Sequence, residues 1–244
     1  MFRAVACSRQ ILTRLTGGSN VASISSSAYC NKIYELRTYN IKPTCMGDYL
    51  QLTKDKFHLR TAHSKVVGFW ITELGGVNEA VHLWEYDSLS HRASVRAALA
   101  KDNNWMEQYL SKAFQYFEKQ HNELVTPLQA LAPSPFKEGG VYELCAINTK
   151  SGSSKNLLEQ VKKMTTVQEG ILQENQSGKL ISLLTTQIGQ NNIVYQLWNY
   201  GKIDDLLTCK DAMNDHPSSE GIKSVIQSVQ TKLLVPLLPI SPLT

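Results

Sequence analysis

The spacing of apolar and polar positions changes period several times along the chain. Residues 33 to 41 alternate β-branched and aromatic side chains with polar ones, the period of a strand with unlike faces. Met46, Leu50, Thr53 and Phe57 then recur at helical spacing. Val66 to Leu74 and Glu79 to Tyr86 return to strand character, and Gly75-Gly76 between them predicts a hairpin. Val95, Leu99, Met106, Leu110, Ala113 and Phe117 mark one long or broken helix, followed by a short strand near Glu123 to Leu128. The order is β-α-β-β-α-β.

The pattern then repeats. Ile33-Tyr34-Glu35-Leu36 returns as Val141-Tyr142-Glu143-Leu144, and Leu83-Trp84-Glu85-Tyr86 as Leu197-Trp198-Asn199-Tyr200. Gly75 and Gly189 precede the two tryptophans at the same distance, and Leu124 to Leu128 is echoed by Leu234 to Leu237. Matches in one order at a nearly constant offset indicate tandem duplication. The second copy is expected to place Leu157, Val161 and Met164 on its first helix and Ile222, Ile226, Val229 and Leu233 on its last. The uncharged run from Leu180 to Gly201 reads as two strands and a turn rather than a membrane span, because its glutamines, asparagines and glycines suit hydrocarbon poorly.

Each unit is a ferredoxin-like β-α-β-β-α-β motif. A four-stranded sheet with helices on one face leaves its other face bare, and pairing two such sheets covers both. The expected fold is therefore α+β: tandem ferredoxin-like repeats closing a dimeric-type α+β barrel within one chain. The layout is a leader at 1–30, a first unit at 31–132, a linker at 133–140 built from Pro133-Ser134-Pro135 and Gly139-Gly140, and a second unit at 141–244. Any sheet edge left open could pair between chains, which makes a homo-oligomer an expectation.

Charge changes the picture at one end. Of the chain's 25 Lys+Arg, Arg3, Arg9 and Arg14 lie in a leader with no acid, followed by Ser23, Ser25, Ser26 and Ser27. Arg-rich, Ser-rich and acid-free is the composition of a mitochondrial transit peptide; a disordered cytosolic tail is the alternative. The rest of the chain is nearly neutral, which argues against nucleic acid as a partner. Cys7, Cys30, Cys45, Cys145 and Cys209 are odd in number and widely spaced, as expected of reduced thiols rather than a disulfide framework or zinc site.

Leu59-Arg60-Thr61-Ala62-His63-Ser64, Gly68-Phe69-Trp70, Gly75-Gly76 and His82-Leu83-Trp84-Glu85-Tyr86-Asp87 form one pattern, continued by His91-Arg92, Arg96, Leu99-Ala100-Lys101-Asp102 and Trp105. This closely resembles the NIPSNAP family of mitochondrial proteins, densely over residues 33 to 110. The resemblance implies the dimeric α+β barrel fold and a mitochondrial address, in the matrix on our reading. For better-studied relatives it implies roles in mitochondrial quality control, through recruitment of autophagy adaptors and ubiquitin-like modifiers. Related barrel families include monooxygenases and haem-handling enzymes.

Candidate chemistry is concentrated in the first unit. Glu35 and Arg37 share one face of a strand, and His82, Trp84 and Tyr86 share one face of another; were these faces to line the barrel interior, they would form a polar cluster around a ligand. The plainer expectation is that Trp84 packs as core while Glu35 and Arg37 pair. Arg60 and His63 sit at a helix end, where a cation meets the helix dipole favourably, and His63 has no ligand-spaced neighbour to make a metal site. Arg92 and Arg96, one turn apart, are a candidate grip for an acidic partner. The second copy keeps Glu143 but has Cys145 and Gln196 where the first has Arg37 and His82, so any site belongs to the first unit. No phosphate-binding loop, dinucleotide fingerprint, nucleophile elbow or zinc-protease motif occurs, and no cofactor or catalytic residue is expected. Tyr49-Leu50-Gln51-Leu52 and Tyr200-Gly201-Lys202-Ile203 match a short autophagy-type motif that docks as an added strand. The leading expectation is a non-enzymatic interaction protein; the alternative is a small-molecule-binding, monooxygenase-like barrel using Glu35, Arg37, Arg60, His63, His82 and Trp84.

Overall fold

The computed structural model describes residues 32–129, 131–133, 140–150, 154–217 and 225–243. The leader at 1–30 and most of the 133–140 linker lie outside these residues, as do Ile222 and the side chain of Leu157. Eight strands carry the architecture. The first unit supplies β1 (Ile33–Ile41), β2 (Lys65–Leu74), β3 (Glu79–Tyr86) and β4 (Phe117–Pro127). The second supplies β5 (Val141–Thr149), β6 (Gly178–Ile188), β7 (Ile193–Tyr200) and β8 (Ile226–Pro236).

The strands close a barrel in the order β1-β3-β2-β8-β5-β7-β6-β4. Each unit contributes a four-stranded sheet of the same internal order, and two antiparallel seams join them. One runs from Trp70↔Pro236 to Leu74↔Leu233, the other from Leu124↔Ile188 to Pro127↔Leu184. Closure gives every one of these strands a neighbour on both sides, although the two seams pair only the ends of β2, β8, β4 and β6.

Because the barrel is filled inside and clad outside, alternate residues of one strand belong to different cores. Tyr34, Leu36, Trp70, Tyr142, Leu144 and Leu234 pack in the interior. Tyr49, Phe57, Phe69, Trp84 and Trp105 pack between the first sheet and its helices, and Val161, Leu172, Leu180, Trp198 and Leu206 do so in the second unit. Burying each such large side chain contributes about 2–3 kcal/mol. Gly68 lets the interior and strand twist coexist: a Cβ there would stand 2.1 Å from the Trp70 indole, beside a register shift between Val66 and Gly68.

The first unit's helices are α1 (Met46–Lys56), α2 (His58–Thr61), α3 (Leu89–Leu99), α4 (Asn103–Trp105), a π-helical turn (Met106–Leu110) and α5 (Ser111–Tyr116). The expected broken helix is thus broken at Ala100–Asp102, where Asp102 caps α4 by accepting from the Trp105 amide. Ser88 caps α3 through the His91 amide. The second unit has α6 (Ser154–Glu174) and α7 (Ile203–Asn214).

Two expectations are corrected. Ile226, Val229 and Leu233 lie on strand β8, not on the last helix, which is α7. Their helical spacing is not a burial stripe, since Val229 is 49% exposed, and pairing with β5 over Tyr142↔Leu234 to Asn148↔Ser228 decides the conformation. Strand β4 also begins at Phe117, where the backbone turns extended, rather than near Glu123.

Candidate functional site

In β1 the residues Glu35 and Arg37, and in β3 the residues His82, Trp84 and Tyr86, point away from the barrel interior and towards the helices. Register sets Glu35 opposite Trp84 and Arg37 opposite both His82 and, on the other side, Asn122 of β4. The conditional expectation that this face lines the interior is therefore corrected: the cluster forms under the helical layer. Helix α2 adds Arg60 and capped α3 adds Arg92.

Glu35 is the hub. Its Oε1 accepts from Arg92 Nη2 at 2.7 Å and Asn122 Nδ2 at 2.8 Å, and its Oε2 accepts from Tyr86 Oη at 3.3 Å. Arg37 Nε stands 4.0 Å away, so the expected Glu35–Arg37 pair is present but long. Burial alone would raise the carboxyl's pKa, but the Arg92 bond, the Arg37 charge and the Asn122 amide outweigh it and hold the group at about 2.

Arg60 is 4% exposed. It donates to Ser64 Oγ at 2.6 Å and Tyr86 Oη at 3.0 Å, and lies over the Trp84 ring at 3.9 Å. Burial lowers its pKa. Tyr86 thus accepts from Arg60 and donates to Glu35. Trp84 Nε1 donates to His82 Nδ1 at 2.5 Å, which leaves the proton of the neutral imidazole on Nε2. Burial, and then the charges of Arg37 and Arg60, hold His82 well below its ordinary pKa.

A cavity of about 30 Å³ sits in this layer, lined by Arg37, Tyr39, Tyr49, Arg60, His82, Trp84, Tyr109 and neighbouring rings. Two buried polar atoms of its lining, Arg37 Nε and His82 Nε2, have no hydrogen-bond partner, and the buried Tyr49 hydroxyl faces those of Tyr109 and Thr53. Tyr109 and Leu110 reach it from the π-helical turn, a distortion that recurs at functional sites. Tyr109 Oη meets Thr53 Oγ1 at 3.1 Å, and burial pushes its pKa up to about 12.

The remaining candidates fall outside the cavity. His63 Nε2 pairs with Asp102 Oδ2 at 2.8 Å, which clasps the end of α2 to the cap of α4. Arg92 is turned inward onto Glu35 rather than outward to a partner, whereas Arg96 is exposed. Tyr49 and Tyr200 are fully buried, the latter donating to Glu143 at 2.8 Å, so neither short motif is available as an added strand. Among the described residues no cluster of His, Cys, Asp and Glu could hold a metal.

The second unit repeats the layout with a single ion pair in place of the three arginines around Glu35. Glu143 accepts from Tyr200 and pairs with Lys210 at 2.8 Å. Gln168 replaces Arg60 as donor to its tyrosine, at 3.3 Å. Gln196 accepts from Trp198 Nε1 at 3.4 Å and donates to Thr165 at 2.7 Å, where His82 has an idle Nε2. A larger space of about 890 Å³ opens at one barrel mouth, but Glu79 and Lys232 pair there, as do Glu123 and Tyr195.

Tyr39, Tyr49, Tyr109 and Asn122 were not legible as pocket residues: Tyr49 drew notice only for a short docking motif, the other three for none, and only the sheet register and the packing of α1 and the π-helical turn assemble them. Tyr86 and Trp105 stood in the family pattern, Tyr86 on the same strand face as His82 and Trp84, but neither was singled out as a site residue.

Two fused ferredoxin-like units sharing one closed antiparallel barrel, clad by helices, define a protein of the dimeric α+β barrel class. A 2.55 Å structure of a proposed monooxygenase from Fusobacterium nucleatum has this fold, with a TM-score of 0.65 at 16% identity over 84% of this chain and 92% of that one. The chain belongs to the NIPSNAP family. Its residues 34–132 match the family's sequence profile. It is 32% identical to Protein NipSnap homolog 3A of Pongo abelii over 93% of this chain and 96% of that protein. It is 33% identical to Protein NipSnap homolog 3B of Mus musculus, over 83% of each.

Proposed function

We propose that this NIPSNAP protein is a small-molecule-binding α+β barrel whose working pocket is the cavity under the helices of the first unit. One observation carries the reading: Arg37 Nε and His82 Nε2–H converge on one cavity with no hydrogen-bond partner, beside the buried hydroxyl of Tyr49. Leaving a buried donor unmet costs about 1–3 kcal/mol each, a cost a bound ligand removes. The set consists of donors: Glu35 is fully occupied and His82 offers its N–H rather than a lone pair. It suits binding and polarising an oxygen-bearing ligand, including stabilising negative charge that develops during a reaction. The fold likeness to a proposed monooxygenase is compatible with this and adds no residue-level support.

The test is a screen of small aromatic and oxygenated compounds against the full chain, read by thermal unfolding. Hits are expected to raise Tm and to lose their effect in the Arg37→Cys/His82→Gln double variant, which installs the second unit's own residues. An absence of hits, or hits indifferent to that variant, overturns the reading.

The interaction-protein reading drawn from the family has one observation in its favour. Ile203 and Leu207 stand 48% and 60% exposed, one turn apart on α7. A role in mitochondrial quality control, and an address in the matrix directed by the leader, rest on family likeness and on Arg3, Arg9 and Arg14. Replacing these three arginines should abolish import, measured by protease protection in isolated mitochondria. Ile203→Glu/Leu207→Glu should abolish partner association while leaving ligand-induced stabilisation intact.

A further inference from the structure

We infer that the first-unit pocket is built for a carboxylate, held by Arg37, His82 and Tyr49 with aromatic rings around it. The inference rests on the pocket reading above and specifies its ligand. Charge is the first argument. Arg37, Arg60 and Arg92 share this layer with Glu35, the one carboxylate that ion-pairs with them among the described residues. Arg92 is matched by Glu35, and Arg60 spends its donors on the neutral hydroxyls of Ser64 and Tyr86. Arg37 keeps only a 4.0 Å approach to Glu35 and a place over the Tyr39 ring at 4.9 Å. Arg60 is buried and Arg37 and Arg92 are partly buried, and an excess of guanidinium held away from water in this way favours an anion beside it.

The second unit shows that the fold does not require this excess. There Cys145, Gln168 and Gln196 occupy the places of Arg37, Arg60 and His82, with one cation, Lys210, on one carboxylate, Glu143. The polar hub is kept and the surplus charge is gone.

Size and shape select among anions. The cavity, at about 30 Å³, is small, and a flat three-atom head group enters such a space more readily than a tetrahedral phosphate or sulfate. A planar carboxylate accepts from a guanidinium edge, an imidazole N–H and a phenol O–H, and Glu35, 4.0 Å from Arg37 Nε, is already engaged by Arg92, Asn122 and Tyr86. Phe69 lies parallel to the His82 ring at 5.0 Å and Tyr39 stands edge-on to it at 4.7 Å, so a planar apolar body behind the head would meet ring surfaces. A body larger than the head group needs Tyr109 and Leu110 of the π-helical turn to move aside.

The experiment titrates the full chain at constant ionic strength with formate, acetate and benzoate, against benzamide, inorganic phosphate and sulfate, reading Tm and the tryptophan indole NMR signals. The carboxylates should raise Tm with concentration and shift the Trp84 and Trp105 indole signals, with benzamide, phosphate and sulfate inert. Arg37→Cys/His82→Gln should weaken carboxylate binding by about tenfold or more, and Arg37→Gln alone provides the same comparison should the double variant fold poorly. Formate and acetate binding without benzoate identifies a free small acid as the ligand; stronger binding of benzoate identifies the head of a larger aromatic acid. Benzamide binding as well as benzoate, lost in the variants, would overturn the carboxylate while leaving the pocket intact. Equal effects of all anions, unchanged by the variants, would overturn the inference as a bulk ionic effect.

Discussion

Trp84 donates its indole proton to His82 Nδ1 across 2.5 Å, two residues apart on one face of β3. A strand places alternate residues side by side, so the pair is set by the backbone alone. It fixes which imidazole nitrogen carries the proton, and with burial it keeps the ring neutral.

That neutrality predicts a pH dependence. The folded-state pKa of His82 is depressed below the unfolded value of 6.5, so the unfolded chain binds the extra proton first as pH falls. Stability associated with His82 is complete above pH 6.5 and declines below it, by up to about 1.4 kcal/mol per pH unit. Urea midpoints measured between pH 5 and 8 should show this slope, and His82→Gln should flatten it. An unchanged slope in the variant would assign the effect elsewhere.

Glu35 acts lower on the pH scale. Its folded pKa of about 2 lies below the usual 4.5, so its contribution is full above pH 4.5 and is lost as pH falls towards 2. The shift corresponds to about 3 kcal/mol. Glu35→Gln at neutral pH removes the partner of half-buried Arg92 and should cost about 1–3 kcal/mol, read by chemical denaturation. A cost below about 1 kcal/mol would mean the arginines find water instead.

Asp102→Asn separates the two duties of that residue. Asparagine still caps α4, but the carboxylate that bonds His63 Nε2 is replaced by a neutral amide. Hydrogen exchange should accelerate at Trp105 to Leu110 and little elsewhere. Uniform acceleration would mean that the clasp supports the whole unit rather than the π-helical turn.

Gly68→Ala should be among the most damaging single-methyl changes. The new Cβ meets the indole of Trp70, which is fixed inside the barrel. We expect a loss of about 1–3 kcal/mol, measured as a fall in Tm.

Most of the architecture was legible because duplication wrote it twice: Tyr34/Tyr142 and Trp84/Trp198 mark equivalent strands, and a helix-clad sheet with a bare face implies its partner. Residues 226–233 were misread because Ile226, Val229 and Leu233 carry a helical interval by coincidence on a strand that β5 organises. Convergence of Glu35, Arg37, Arg60 and His82 was visible only as residue types on shared faces. Which face turned inward depended on barrel closure, a long-range property that no local period encodes. The inward turn of Arg92 depended likewise on where α3 lands over β1.

The short seams of the barrel have a consequence for dilution. Trp70↔Pro236 to Leu74↔Leu233 and Leu124↔Ile188 to Pro127↔Leu184 span far fewer residues than the pairings within each sheet. Two separate half-barrels joined by such seams would hold together only by mass action. In this chain the halves are covalently tethered, so each finds the other at a fixed effective concentration however scarce the protein is. Assembly is then a first-order event, and the two halves need not remain identical to fit.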